Sequence, residues 1–308
     1  MPVSPARLQN HMDDLDFSIQ AAAAPAAAAA RVPKTETLPY DAQMVLRFFS
    51  IAGEDEMLPA GTCVFAEQEK ASGLFAKRAR MYLLIEGQVA LTLKGKPLHL
   101  VLPGETFGEL AIISDAPRSA TATALKKSMV MSLDEKRVLA SLPQEPGFAM
   151  QMVSNLAGQM RRSVEKLLVA KRAGLKPRLG GSGLNADQLA KLRRALGDPE
   201  PTLMRRGETV VTQGAMGIHM FVLLKGRVTI GVNGTPVEQI GTGETFGEVA
   251  LLGSTTRSAT AMAEEDGEWL PVNREAFVRI VKAQPVIGLA LLRSMCERVQ
   301  HLNSQLSA

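Results

Sequence analysis

The chain has 308 residues with a net charge of +4, and 21% of its side chains are charged in mixed sign, so the total gives no nucleic-acid footprint. Its length allows two domains, each able to bury a core. Two cysteines exclude a disulfide scaffold and suit a reducing compartment, and no run of about 18 apolar residues marks a membrane span. The start lacks a basic region ahead of a leucine-rich core, so no secretory signal is read there, and a cytoplasmic location is expected.

Residues 1–40 hold Asp13, Asp14 and Asp16, then an alanine tract broken by Pro25. Such a stretch buries too little apolar surface to offset its ordering entropy and is expected to be disordered. Asp41 is a candidate N-cap for a helix carrying Met44, Val45, Phe48 and Phe49 on one side. From Leu58 the pattern becomes short strands: 62–65, 81–85, 89–93 and 98–102, separated by turn residues. Lys94-Gly95 reads as a hairpin tip, as does Asn233-Gly234 later.

The stretch Phe107 to Thr121 reads F-G-E-L-A-I-I-S-D-A-P-R-S-A-T, and Phe246 to Thr260 repeats it as F-G-E-V-A-L-L-G-S-T-T-R-S-A-T. An offset of 139 also maps Gly87 onto Gly226, Gly95 onto Gly234 and Pro146 onto Pro285; upstream, Gly61 aligns with Gly207 at an offset of 146. The chain is therefore an internal duplication. The first copy has seven extra residues within 69–80, including Lys70, Lys77, Arg78 and Arg80, read as an exposed loop.

Each duplicated stretch can seat a small sugar phosphate. The apolar run after the glycine can make a helical turn whose first amides lack partners. Gly108 and Gly247 allow close backbone approach, Arg118 and Arg257 supply planar cations, and Glu109 and Glu248 accept from a hydroxyl.

Further helices are expected after N-caps Asp134 and Asn273, with longer ones after Pro146 and Pro285. Residues 150–172 carry Met150, Met152, Val153, Leu156, Met160, Val164, Leu167 and Leu168 on a stripe, opposite Arg161, Arg162, Lys166, Lys171 and Arg172. That charged face is read as solvated, and DNA binding is not expected. Residues 173–185, with four glycines and Pro177, read as a flexible linker; Asn185 caps a helix through Leu196.

The repeated stretch resembles the phosphate-binding cassette of cyclic nucleotide-binding domains, as in catabolite activator proteins and cAMP-dependent kinase regulatory subunits. The resemblance implies a mainly β fold with flanking helices: two tandem β-roll (jelly-roll) domains over 41–172 and 186–308. It implies that Glu109 and Glu248 bind a ribose 2′-hydroxyl and that Arg118 and Arg257 bind the exocyclic phosphate. Amides of Leu110, Ala111, Val249 and Ala250 would complete each cradle, beside Ser119 and Ser258 and within the frame of Phe107, Ala120, Phe246 and Ala259. The helix after each roll would swing to cover the base.

Four histidines spread over the chain offer no metal cluster, and no nucleophile grouping or Walker loop has supporting context, so catalysis is not expected. No recognition helix, membrane span or kinase domain is expected after the second roll. The reading is a stand-alone sensor of cAMP or cGMP that relays occupancy to an effector protein and is compatible with homo-oligomers. The serine after each arginine tilts the choice towards cAMP. The alternative is a structural module of the same fold that binds proteins and no nucleotide.

Overall fold

The computed structural model describes residues 40–70, 79–114, 116–169, 178–253 and 255–306. The expected tail over 1–39, most of the 69–80 insert and the first part of the expected linker lie outside these residues. The first half opens with helix α1 (Ala42–Ala52), followed by strands β1 (Glu54–Leu58), β2 (Cys63–Phe65), β3 (Arg80–Glu86), β4 (Val89–Leu93), β5 (Lys96–Val101) and β6 (Thr106–Phe107). Helix α2 (Glu109–Ser114) comes next, then β7 (Thr121–Ala124), β8 (Ser128–Asp134), α3 (Glu135–Ser141) and the long α4 (Gly147–Val169).

The second half starts with β9 (Arg178–Leu179), α5 (Ala186–Ala195), β10 (Thr202–Met204), β11 (Thr209–Val211), β12 (Met216–Gly217) and β13 (His219–Lys225). It continues through β14 (Val228–Val232), β15 (Thr235–Ile240), β16 (Thr245–Phe246) and a 3₁₀ turn, Glu248–Leu252. The last elements are β17 (Thr255–Thr256), β18 (Thr260–Ala263), β19 (Gly267–Asn273), α6 (Arg274–Ala283) and α7 (Pro285–Leu306). The structure thus has the mainly β fold with flanking helices and the two tandem rolls that the sequence predicts.

Each roll is a pair of antiparallel sheets with the same order, β1-β8-β3-β6 and β2-β7-β4-β5 in the first, β10-β19-β13-β16 and β11-β18-β14-β15 in the second. The interiors match position by position. Tyr82, Leu84, Val89, Val101, Phe107, Ala122 and Ala124 fill one, while Phe221, Leu223, Val228, Ile240, Phe246, Ala261 and Ala263 fill the other. Small and large side chains thus share each interior, as close packing requires. Both hairpin tips have positive φ at their two central residues, 49° and 74° at Lys94-Gly95 and 51° and 79° at Asn233-Gly234, which matches the right-handed strand twist.

The predicted caps hold. Asp41, Asp134, Asn185 and Asn273 accept from Met44, Arg137, Gln188 and Ala276 amides, and Gln188 returns a bond to the Asn185 amide as a capping box. Outside the rolls the two halves share a single helical core. Phe48 and Phe49 of α1, Leu156 of α4, Phe277 of α6 and Met295 of α7 belong to one continuous buried cluster. The long helices α4 and α7 pack on each other, α7 also packs on α2, and α4 packs on the 3₁₀ turn of the other half. Among the described residues no helix is long and apolar enough to cross a membrane.

Residues 178–185, expected to form part of a flexible linker, are held in place. β9 pairs in parallel with β15, adding a fifth strand to that sheet. Buried Arg178 reaches Glu238 at 2.8 Å, Glu244 at 2.6 Å and Glu297 at 3.2 Å. A glycine-rich composition signals backbone freedom, but one guanidinium satisfied by three carboxylates overrides it. Removing one member of a buried ion network strands its partners, so Arg178→Ala should lower the unfolding free energy by about 3 kcal/mol in urea titration. An unaltered midpoint would mean that this segment is not docked.

Candidate functional site

Each cassette is built at the exit of a two-residue strand, β6 or β16, by a glycine in left-handed conformation. Gly108 has φ 80° and Gly247 has φ 74°. A Cβ at Gly108 would sit 3.0 Å from Arg118 Nη1 and 3.0 Å from the Arg80 carbonyl; at Gly247 it would sit 2.8 Å from Arg257 Nη1. The backbone angle and the space therefore both demand glycine. A third glycine, which the sequence does not single out, is constrained by space alone: a Cβ at Gly217 would lie 2.3 Å from Arg257 Nε.

Phe107 and Phe246 are buried beneath the cassettes, 1% and 2% exposed; Phe107 stacks on Tyr82 and Phe246 packs at a tilt against Phe221 of the neighbouring strands. Ala120 and Ala250 are buried, as are Leu110 and Ala111. Ser119 and Ser258 follow the arginines directly and are half-buried, as is Ala259. Val249 packs against the shared helical core.

The arginines face inward. Arg118 donates from Nη1 to the Gly108 carbonyl at 2.9 Å and lies 4.0 Å over the Phe65 ring. Arg257 donates from Nη1 to the carbonyls of His219 at 2.8 Å and Gly247 at 3.3 Å, and lies 5.1 Å over the Phe221 ring. Burial pulls both guanidiniums below their ordinary pKa. Carbonyls and aromatic faces hold them, and among the described residues neither makes an ion pair. Two desolvated cations beside two equivalent turns have the charge and the donors to take an anion.

The glutamates occupy equivalent places in different surroundings. Glu109 is buried, and its nearest side-chain donor is Gln159 Nε2 of α4, 3.4 Å from Oε1. Burial pushes its carboxyl above the ordinary carboxylate range, against the opposing pull of Gln159 and Arg118. Glu248 is held by Arg298 of α7, whose Nη1 lies 3.0 Å from both carboxylate oxygens, and by the Thr245 hydroxyl. Arg298 also donates from Nε to Glu238 at 2.8 Å, and from Nη2 to Ser294 at 2.9 Å and to the Thr245 carbonyl. Burial would strip the proton from Arg298, but Glu238 and Glu248 outweigh it and hold the guanidinium above its ordinary pKa. Gln159 and Arg298 are the same position at the offset of 139, and comparing the two halves could have found them.

The turns also differ. The first cassette winds as α-helix from Glu109, and the opening amides of such a turn have no intrahelical partner. The second winds as 3₁₀, and the Ala250 amide already donates to the Gly247 carbonyl at 3.1 Å.

Beside the second cassette a cavity opens against Glu248, Arg257 and Ser258. Val211 lines it, where the first roll has Phe65 beneath its arginine. Met160 and Arg161 of α4 line it too. The helix after the first roll thus reaches the other roll's cassette as well as its own, and one expectation is corrected: Arg161 belongs to a cavity wall instead of a solvated face.

Because folding keeps the Glu109 proton to higher pH than the unfolded chain does, the stability this carboxyl contributes is complete below the unfolded pKa near 4.3 and is lost as pH rises through the raised folded value. Glu109→Gln should therefore stabilise the nucleotide-free protein at pH 8 by on the order of 1 kcal/mol and lose that advantage at pH 4. Glu248→Gln should destabilise it by about 3–5 kcal/mol, since Arg298 loses its bidentate partner. Thermal unfolding of the two variants across pH measures both, and equal effects would contradict the asymmetry.

A family model described as the cyclic nucleotide-binding domain matches residues 56–144 and 202–284, more than half of the chain. A cGMP-dependent protein kinase of Drosophila melanogaster, of the isozyme 2 forms, is 28% identical over 231 residues, 71% of this chain and 19% of the kinase. A cAMP-dependent protein kinase regulatory subunit of Aspergillus niger is 31% identical over 191 residues, 61% of this chain and 41% of that subunit. The chain thus matches less than half the length of these relatives. Among solved structures, the regulatory domain of Toxoplasma gondii PKA with cAMP is 21% identical, covering 87% of this chain and 90% of that one with a TM-score of 0.29. The Thermus thermophilus catabolite activator protein is 22% identical, covering 55% and 74% with a TM-score of 0.37. With the family model matched twice, once over each roll, the chain belongs to the cyclic nucleotide-binding domain family.

Proposed function

We propose that the chain is a regulatory receptor that binds one cyclic nucleotide at each cassette and relays occupancy to an effector protein. The observation that carries this reading is the pair of desolvated arginines, Arg118 and Arg257, each held over a left-handed glycine turn without an ion-pair partner among the described residues. A single phosphate would supply the missing charge at each. Glu109 and Glu248 stand at the start of the same turns, where the ribose hydroxyl of such a ligand would lie. Relatives named for cAMP and for cGMP support the ligand class and leave the base open.

In the second seat, a phosphate competing for the Ala250 amide would draw the 3₁₀ turn towards α-helix. The ribose would share Glu248 with Arg298, so filling the seat acts directly on α7. Since α7 also packs on α2, and α4 on the second cassette, each long helix touches both seats. A ligand shifts such an arrangement only by its differential affinity for the two states, typically about 1–3 kcal/mol of coupling. The helices and the surfaces that move with them are the route to the effector. The seats bind and do not catalyse. The free cysteines, Cys63 exposed and Cys296 buried, suit the cytoplasm.

A ligand bound only by the folded state must stabilise it, by about 2.7 kcal/mol at a hundredfold excess over Kd. Thermal unfolding with cAMP or cGMP should therefore show an upward shift of several degrees. Arg118→Ala and Arg257→Ala should each remove one equivalent of binding in calorimetry and leave the other seat occupied. If neither nucleotide moves the midpoint, the structural-module reading takes its place.

A further inference from the structure

The second seat is a composite of both halves. Its floor comes from the second roll: Glu248, Arg257 and the aliphatic side chains of Val211 and Ile230. Its roof comes partly from the first half, through Met160 and Arg161 of α4. We propose that Arg161 is a base-reading residue of this seat and makes it favour guanine over adenine. The inference rests on the second cassette holding a cyclic nucleotide.

With the phosphate on Arg257 and the ribose on Glu248, the base fills the remainder of the cavity. Aliphatic walls accept the face of either purine, so the polar groups at its edge decide the choice. Arg161 brings a guanidinium, which donates and never accepts. Guanine presents two acceptors side by side, O6 and N7, whereas adenine pairs its N7 acceptor with an amino donor. A planar fork satisfies the first edge twice and the second only once. Glu165, one turn along α4, stands 3.9 Å from Arg161 Nε and helps orient the fork. His301 of α7 also lines the cavity, but its ring can donate or accept, so it does not separate the two bases.

The first seat differs at this point. The position equivalent to Arg161 at the offset of 139 is Gln300 of α7, which reaches across to the first cassette and donates from Nε2 to Ser114 Oγ at 3.1 Å. A carboxamide carries both a donor and an acceptor, so it imposes no donor-only edge. The guanine preference is therefore confined to the second seat, where it departs from the cAMP lean that the serines alone give.

The test is calorimetry on the full chain carrying Arg118→Ala, so that only the second seat reports. The titrants are cAMP, cGMP and cIMP, the last having O6 and N7 but no 2-amino group. The expected result is cGMP tighter than cAMP by about tenfold, with cIMP close to cGMP. Adding Arg161→Ala, with folding checked by circular dichroism, should erase the preference, lowering cGMP affinity by about tenfold more than cAMP affinity. A preference for cAMP, or a cGMP preference that survives Arg161→Ala, overturns the proposal. So does a preference lost with cIMP, which would assign the reading to a group facing the 2-amino, such as Ser258. Heat from none of the three would sink nucleotide binding at the second cassette itself, a different failure from binding without discrimination.

Discussion

The packing of α4 on α7 is the constraint on which the remaining structure depends. Each helix leaves its own roll, buries an apolar stripe against the other and lies across the opposite cassette. Leu156 and Met295 are fully buried in this shared core, together with Phe48 and Phe277 from the helices around it. The rolls are thereby joined through their two cassettes. A shift at one cassette cannot be absorbed locally, because a close-packed core transmits displacement.

Within that frame, one position sets the electrostatics of the two seats apart. Arg298 delivers a buried positive charge to Glu248 and is itself held by Glu238, which also holds Arg178. Four charged groups removed from water would be costly singly; arranged so that each guanidinium meets more than one carboxylate, they fix a geometry. Gln159 offers Glu109 only an amide dipole at 3.4 Å. The first seat therefore keeps an acceptor whose charge is disfavoured until something neutralises or hydrogen-bonds it, while the second is already braced.

The local elements are legible in the sequence. Alternating strands, the two hairpin tips, four helix caps and the duplicated cassettes can all be read from residue type and spacing, because each is set by neighbours in sequence. What is not legible depends on distant partners. An amphipathic stripe such as Met150 to Leu167 announces a buried face without naming what buries it, so the crossing of α4 onto the second cassette does not follow from it. Arg161 reads as a solvated charge because its cavity belongs to the other half. Arg178 sits in a glycine-rich stretch, and only the fold brings Glu238, Glu244 and Glu297 around it. The difference between Gln159 and Arg298 is visible in the aligned halves, but nothing in either half alone indicates that this position faces the glutamate.

The pairing of α4 with α7 has a further consequence because both belong to one chain. When two identical subunits meet about a two-fold axis, every substitution is made twice and both sites change together. Covalent linkage of the two copies removes that obligation, and it makes their contact independent of protein concentration. Gln159 could therefore diverge from Arg298, and Gln300 from Arg161, without altering the companion seat. The duplicated chain keeps the geometry of a symmetric pair while each of its seats is free to specialise.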